Sequence, residues 1–430
     1  MSTIPVHWSS QSLASLVDYR AGRTPSRAEP EYWERGRGGT PWVSIADMLP
    51  FGSVRTTKEQ ISQSALDAVF GGRVVSAGTL LMSFKLTIGR VGTLAVDACH
   101  NEAIIAIYPR ADVEQRYLGY YLSQVDFGAL QDRQIKGYTL NRDKLDRIEI
   151  LVPPIQEQRA IATALDLARR GAELQAQALL EAEGLRRAAM HALFTRGLRG
   201  EAQHGSDIGP VPESWEVVPL GSLGRIGNGS TPRKTFQAYW EDGRFPWLTS
   251  SKVYDREIIA ADQFVTETAL RECHLPIVEP GAVLIAITGQ GKTLGHSAVL
   301  RMRATVNQHL AYLATDLDRA DPSFVRGYLE TQYDRFRQVG SGGGSTKGAL
   351  TCAYLRSVPV PLPKSLDEQR EIAAVLDTLD RKIDLHRRKR AVLDDLFKAL
   401  LHMLMTAEIR VADLNLDALT ARPSGSGASA

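Results

Sequence analysis

Two stretches of the chain carry apolar residues at helical spacing over unusually long runs. From Ile372, positions alternately four and three apart read Ile372, Leu376, Leu379, Ile383, His386, Arg390, Leu393, Phe397, Leu400 and Leu404, a heptad seam that is polar only at His386 and Arg390. An earlier, weaker seam reads Ile161, Leu165, Ala168, Ala172, Leu179, Ala182, Ala189 and Leu193, with Gln175 and Arg186 interrupting it. Its alanines let a neighbouring helix come close, whereas Gly171 and Gly184 cost about 1 kcal/mol each relative to alanine. Neither helix has the makings of an isolated one. The pattern predicts that they pack on each other, through Ile161, Leu165, Leu179 and Leu193 on the first and Ile372, Leu376, Leu379, Ile383, Leu393, Phe397 and Leu400 on the second.

Both helices begin in the same way. Pro153-Pro154-Ile155-Gln156-Glu157-Gln158-Arg159-Ala160-Ile161 returns as Lys364-Ser365-Leu366-Asp367-Glu368-Gln369-Arg370-Glu371-Ile372, shifted by 211 residues. Each start follows a short β-type run ending in proline, a residue tolerated in the first helical turn, and Ser365 with Glu368 spells a capping box. The recurrence extends upstream. Trp8 returns as Trp215, Thr24-Pro25 as Thr231-Pro232 and Tyr32-Trp33-Glu34 as Tyr239-Trp240-Glu241, all shifted by 207, and Pro41-Trp42 returns as Pro246-Trp247. A series of this kind marks a tandem duplication.

Within each half, β-type runs (79–84, 103–108 and 148–152; 283–287, 309–314 and 358–362) alternate irregularly with short helical segments (117–122; 324–329), which predicts an α+β domain. A helix of about 40 residues rises about 60 Å. The first helix therefore carries the chain well away from domain one before domain two begins, and only an antiparallel course lets the second helix lie along it. The expected architecture is two similar domains, 1–152 and 201–363, separated by a coiled-coil pair, 153–200 and 364–410, with pseudo-twofold symmetry. A tail, 411–430, ends in a Ser/Gly/Ala-rich segment expected to be disordered.

A net charge of +2 does not announce a nucleic-acid partner, so any basic surface has to be local. Three scattered cysteines, Cys99, Cys273 and Cys352, form neither a zinc signature nor a disulfide framework, and no run reaches the roughly 18 apolar residues of a membrane span. A cytoplasmic protein without metal or membrane is expected. The segment Ala286-Ile287-Thr288-Gly289-Gln290-Gly291-Lys292-Thr293 fits a relaxed phosphate-loop pattern, which raises a nucleotide-binding alternative centred on Lys292. A true phosphate cradle, however, needs a helix directly after the lysine, and Leu294 to Leu300 reads as turn and strand. No catalytic set accompanies it. The loops at equivalent places in the two halves are polar, basic and rich in glycine: Lys85 and Arg90 against Lys292 and Thr293, Lys136 and Tyr138 against Ser345, Thr346 and Lys347, and Arg23 against Arg233 and Lys234. Such side chains suit phosphates and base edges.

With the Glu157-Gln158-Arg159 and Glu368-Gln369-Arg370 helix starts, the twin Thr-Pro openings and the paired long helices together, nearly the whole chain resembles the specificity subunit of type I restriction-modification systems. The resemblance implies a non-catalytic DNA-recognition protein. Each domain would be a target-recognition domain reading one half of an asymmetric, bipartite site on double-stranded DNA. The helical spacer would fix the gap and dock two methyltransferase subunits, which restriction subunits join. S-adenosylmethionine, ATP and magnesium would belong to those partners, with no cofactor in this chain.

Overall fold

The computed structural model describes residues 5–34, 36, 38–127, 132–134, 137–289, 292–341 and 349–415. The chain divides into two compact units, one formed by residues 1–176 and 388–430 and the other by residues 177–387. Each long helix contributes to both: Ile155–Arg196 and Leu366–Met405 are single uninterrupted helices.

In unit 1, the strands Ser9–Ser12 and Glu149–Val152 pair antiparallel beside a five-stranded sheet. The order across that sheet is Val17–Ala21, Ile104–Pro109, Leu80–Ser83, Val91–Leu94 and Gly52–Val54, antiparallel except for the last pair. Unit 2 repeats the order with Gly224–Asn228, Leu310–Thr315, Val283–Ala286, Ser297–Leu300 and Glu257–Ile258, again with only the last pair parallel. The central strands are apolar on both faces because both are covered; Val283–Ala286 is buried at every position. One face of each sheet packs on the helix Gln115–Gln124 or Pro322–Thr331. A second small sheet in each unit carries Trp42 or Trp247.

The repeated Glu-Gln-Arg triplet has a mechanical explanation. Gln158 is 1% exposed and Gln369 is fully buried, rare for a residue with four hydrogen-bonding positions. Gln158 Nε2 donates to the Pro153 carbonyl at 2.8 Å and to the Asp112 carbonyl at 3.2 Å, while Oε1 accepts from the Glu114 N–H at 2.8 Å. Gln369 repeats this with the carbonyls of Pro363 (2.9 Å) and Arg319 (3.1 Å) and the Asp321 N–H (2.8 Å). One carboxamide thus joins the proline that ends the last strand, the start of the long helix and the N-terminus of the short helix. The preceding glutamate accepts from a tryptophan indole, Glu157 from Trp8 and Glu368 from Trp215. Half of the expected capping box is present: Ser365 Oγ accepts from the Glu368 N–H at 3.4 Å, while Glu368 Oε1 serves Trp215.

Within each unit the two long helices run antiparallel. In unit 1, Ile161, Leu165 and Ala168 share a cluster with Leu400, Leu401 and Leu404, Gly171 lies against Leu393, and Phe397 meets Phe51 and Tyr120 edge to face. In unit 2, Ile372 and Leu376 join Met190 and Phe194 in the main core, and Gly327 provides the gap that Phe194 and Leu376 fill. The seam residues thus contact their own lobe as well as the other helix, which a helix-to-helix seam alone does not anticipate. Ile161, Leu165, Ile372, Leu376, Ile383 and Leu400 are buried, whereas Leu179, Leu193, Leu379, Leu393 and Phe397 are half-buried.

Arg186, which interrupts the first seam, is answered by Asp380, 2% exposed. Arg186 also binds Glu330 at 2.7 Å, Arg326 binds Glu330 at 2.8 Å and Arg256 binds Asp380 at 3.0 Å. Burial pushes the Glu330 carboxyl up, but Arg186, Arg326 and Arg256 outweigh it and hold the group below the ordinary glutamate value.

Gln369→Ala leaves three main-chain groups without their partner, one of them buried and two part-buried, and is expected to cost about 2 kcal/mol in denaturant unfolding, where an exposed Gln→Ala costs a few tenths. Asp380→Asn is expected to destabilise unit 2 by about 3 kcal/mol, since it removes the buried carboxylate that Arg186 and Arg256 share and leaves Glu330 to offset Arg186 and Arg326. Because the folded Glu330 carboxyl sits low, its stabilisation is present above the ordinary glutamate range of about pH 4.3 and disappears as pH falls below it. An acid titration of thermal unfolding, compared between wild type and Glu330→Gln, checks the sign.

Candidate nucleic-acid interface

In each unit the loop leaving a central strand is clamped to a later segment of the chain. In unit 1, the Leu140 N–H donates to the Phe84 carbonyl at 3.1 Å; in unit 2, the Leu350 N–H donates to the Ile287 carbonyl at 2.7 Å, and Thr288 bridges to Ala349. The basic loops 85–90 and 292–295 thus follow strands whose ends are tied to Leu140 and to Ala349-Leu350. Lys136, Ser345, Thr346 and Lys347 lie outside the described residues. Tyr138 belongs by its backbone to a hairpin in which it pairs with Arg133.

Lys85 lies 5.2 Å from the Phe84 ring centroid. Arg90 turns inward, Nη1 donating to the carbonyls of Ile45 (3.0 Å) and Met48 (3.2 Å), so its guanidinium braces the loop. Gly89 has φ +80°, and a Cβ there would sit 2.6 Å from the Phe127 ring, which makes glycine obligatory. Lys292 is exposed while its carbonyl accepts from Tyr333 Oη at 2.7 Å, and Thr293 Oγ1 lies 2.9 Å from Tyr254 Oη. His296 sits between those two tyrosines, with ring centroids 5.0 and 4.7 Å away, and burial lowers its basicity. After Thr293 the chain turns into the strand Ser297–Leu300, not a helix, so the feature that would cradle a nucleotide phosphate does not follow Lys292.

The Thr-Pro loops are fastened identically. The indole N–H groups of Trp33 and Trp42 donate to the carbonyls of Ser26 (3.1 Å) and Arg23 (3.0 Å); those of Trp240 and Trp247 donate to the carbonyls of Arg233 and Ser230, both at 3.2 Å. Both tryptophan pairs meet edge to face, with centroids 5.1 Å apart. Over them lies a cation: the Arg27 guanidinium 3.6 Å from the Trp33 centroid, and Lys234 Nζ 3.6 Å from that of Trp240 and 4.5 Å from that of Trp247. The structural counterpart of Lys234 is therefore Arg27, which the 207-residue shift also gives, and not Arg23. Arg23 instead donates to the Val69 carbonyl at 2.8 Å, and Arg233 to Thr235 Oγ1 at 3.1 Å. In unit 2 the loop is also wired to the neighbouring one, Thr231 to Gln308, Gln308 to His309 and His309 to Thr288.

Among the described residues, no group of three or more histidine, cysteine or acidic side chains is placed to hold a metal, and no helix is long and apolar enough to cross a membrane. The model of the type I restriction modification DNA specificity domain matches residues 5–183 and again residues 212–395. The chain belongs to this family. Among its specificity-family relatives, the type I restriction enzyme MjaIX specificity subunit of Methanocaldococcus jannaschii is 22% identical over 96% of this chain and 95% of its own length. The putative MjaX specificity subunit of the same organism is 26% identical over 73% of this chain and 72% of its own. The S subunit of M. genitalium shares the fold with a TM-score of 0.59 at 17% identity, covering 92% of this chain and 96% of that one. A chain from a study of assembly and conformational transition of the type I system superposes with a TM-score of 0.56 at 20% identity, covering 94% and 99%. The twofold match of the specificity domain is the sequence counterpart of the repeated sheet order in the two units.

Proposed function

We propose that this chain reads an asymmetric, two-part site on double-stranded DNA, one part with each unit, and directs two methyltransferase subunits, with restriction subunits, to that site in the cytoplasm. The observation that carries this reading is a shared framework with divergent loops. Sheet order, the buried glutamine and the tryptophan-fastened Thr-Pro loop recur, while the loop side chains do not: Lys85 and Arg90 stand against Lys292 and Thr293, and Glu102 stands against Gln308. Side chains decide which base edge is bound, so unlike loops on like frames favour unlike half-sites. Phosphate and base contacts come from Arg23, Lys85, Lys136, Tyr138, Arg233, Lys234, Lys292, Thr293, Ser345, Thr346 and Lys347, with Arg90 acting from behind its loop. The long helices, common to both units, set the gap.

Exposed apolar residues on the helices, Leu174, Leu180 and Leu185 on the first and Leu385, Val392 and Leu396 on the second, suit protein partners. S-adenosylmethionine, ATP and magnesium chemistry is assigned to those partners. Mapping methylated adenines in host DNA with and without this chain tests the reading. The expected result is one motif with two dissimilar halves and a single gap, absent without the chain. Replacing Lys292-Thr293 by the unit 1 loop should alter one half only; a continuous motif, or one indifferent to the chain, contradicts the reading.

A further inference from the structure

The matched tryptophan pairs of the two units differ in the charge around them. In unit 1, strand pairing sets Glu59 opposite Trp42; in unit 2 it sets Gln263 opposite Trp247. Arg27 therefore meets a carboxylate, donating from Nη1 and Nη2 to the two oxygens of Glu59 at 2.5 and 2.9 Å. Lys234 meets a neutral amide, donating to Gln263 Oε1 at 2.9 Å, and makes no ion pair among the described residues. The same exchange recurs at the loop threonines, Thr24 bonding Glu102 and Thr231 bonding Gln308. Counting the cation and its two neighbours, the patch is net negative in unit 1 and net positive in unit 2.

We propose that Lys234, seated on Trp240 and Trp247, is a binding site for a backbone phosphate of DNA in unit 2, and that the Arg27–Glu59 ion pair closes the matching site in unit 1. An ammonium carries three N–H donors. One is spent on Gln263, the indole faces cover one side, and the remaining donors are left for an acceptor approaching from solvent. Two ring faces and one hydrogen bond hold a side chain that is otherwise costly to order, so little freedom remains to be lost on binding. The exposed Arg233 guanidinium is the next residue in the loop. In unit 1 the Glu59 carboxylate takes a donor from each Nη of Arg27 and neutralises its charge, so an approaching phosphate would meet an anion beside the cation. The recognition units thus grip the duplex unequally although their frames match.

This inference rests on the DNA-reading function proposed above, and its test separates the two. The full chain, reconstituted with its methyltransferase subunits, is titrated with duplexes carrying and lacking the mapped site over a range of salt concentrations. Each phosphate contact contributes a slope of about 0.9 in log K against log salt. Lys234→Gln should lower the slope by about 0.9 and weaken both duplexes by the same factor, and Lys234→Arg should restore it. Arg27→Gln should leave the slope unchanged. Glu59→Gln, which frees Arg27, should raise it by about 0.9. An unchanged slope for both Lys234→Gln and Glu59→Gln, in a complex that still prefers its site, overturns this proposal alone. A wild-type complex with no preference between the duplexes overturns the function reading and this proposal with it.

Discussion

The carboxamides of Gln158 and Gln369 solve the hardest problem in this architecture, which is how a helix of 42 or 40 residues leaves a β-rich lobe without a loose joint. A strand ending in proline, a new helix and the N-terminus of a neighbouring helix all bring unsatisfied main-chain groups to one place. One buried amide, with donors and an acceptor on a single rigid plane, satisfies three of them. No charged side chain does this without a desolvation cost of several kcal/mol, and no apolar one does it at all. The flanking glutamate, tied to Trp8 or Trp215, fixes the same joint to the first strand of the lobe.

Beyond the joint, the two units use different physics at corresponding places. Where unit 1 packs Phe397 on Phe51 and Tyr120, unit 2 sets Arg186 among Asp380, Glu330 and Arg326. An aromatic contact tolerates sliding, whereas a buried ion pair loses several kcal/mol if its partners separate. The ionic cluster therefore specifies the helix register in unit 2 more sharply than apolar packing does in unit 1. A similar divergence appears at the Thr-Pro loops, where the frame is kept and the charge is changed. Duplicated frames with separately altered side chains are what a reader of two unlike half-sites requires.

Much of this was legible in the residues. The helices are readable because a 4-3 apolar spacing persists with few breakers, and the central strands because runs such as Val283–Ala286 are apolar throughout. The duplication is readable because tryptophans and prolines recur at fixed shifts. What stayed hidden depends on contacts between distant parts of the chain. Arg186 looks like a flaw in a seam until Asp380, 194 residues later, is found beside it. Arg27 is not singled out by the sequence, where the basic residue nearest the Thr-Pro pair is Arg23, whereas the cation over the indoles is placed by tryptophans further along. Arg90 reads in the sequence as a free loop cation, and instead binds the carbonyls of Ile45 and Met48.

The central claim is that the glutamine joint, and not general burial, makes each long helix a rigid extension of its lobe. Amide hydrogen exchange at Glu114 and Asp321 tests it most directly. Each lies at the N-cap of a short helix, where an N–H has no acceptor within the helix, and each donates only to the buried glutamine. The account predicts that both amides exchange as slowly as those of the central strands and lose that protection in Gln158→Ala and Gln369→Ala, respectively. Exchange in the wild-type protein at the rate of surface-loop amides would contradict it.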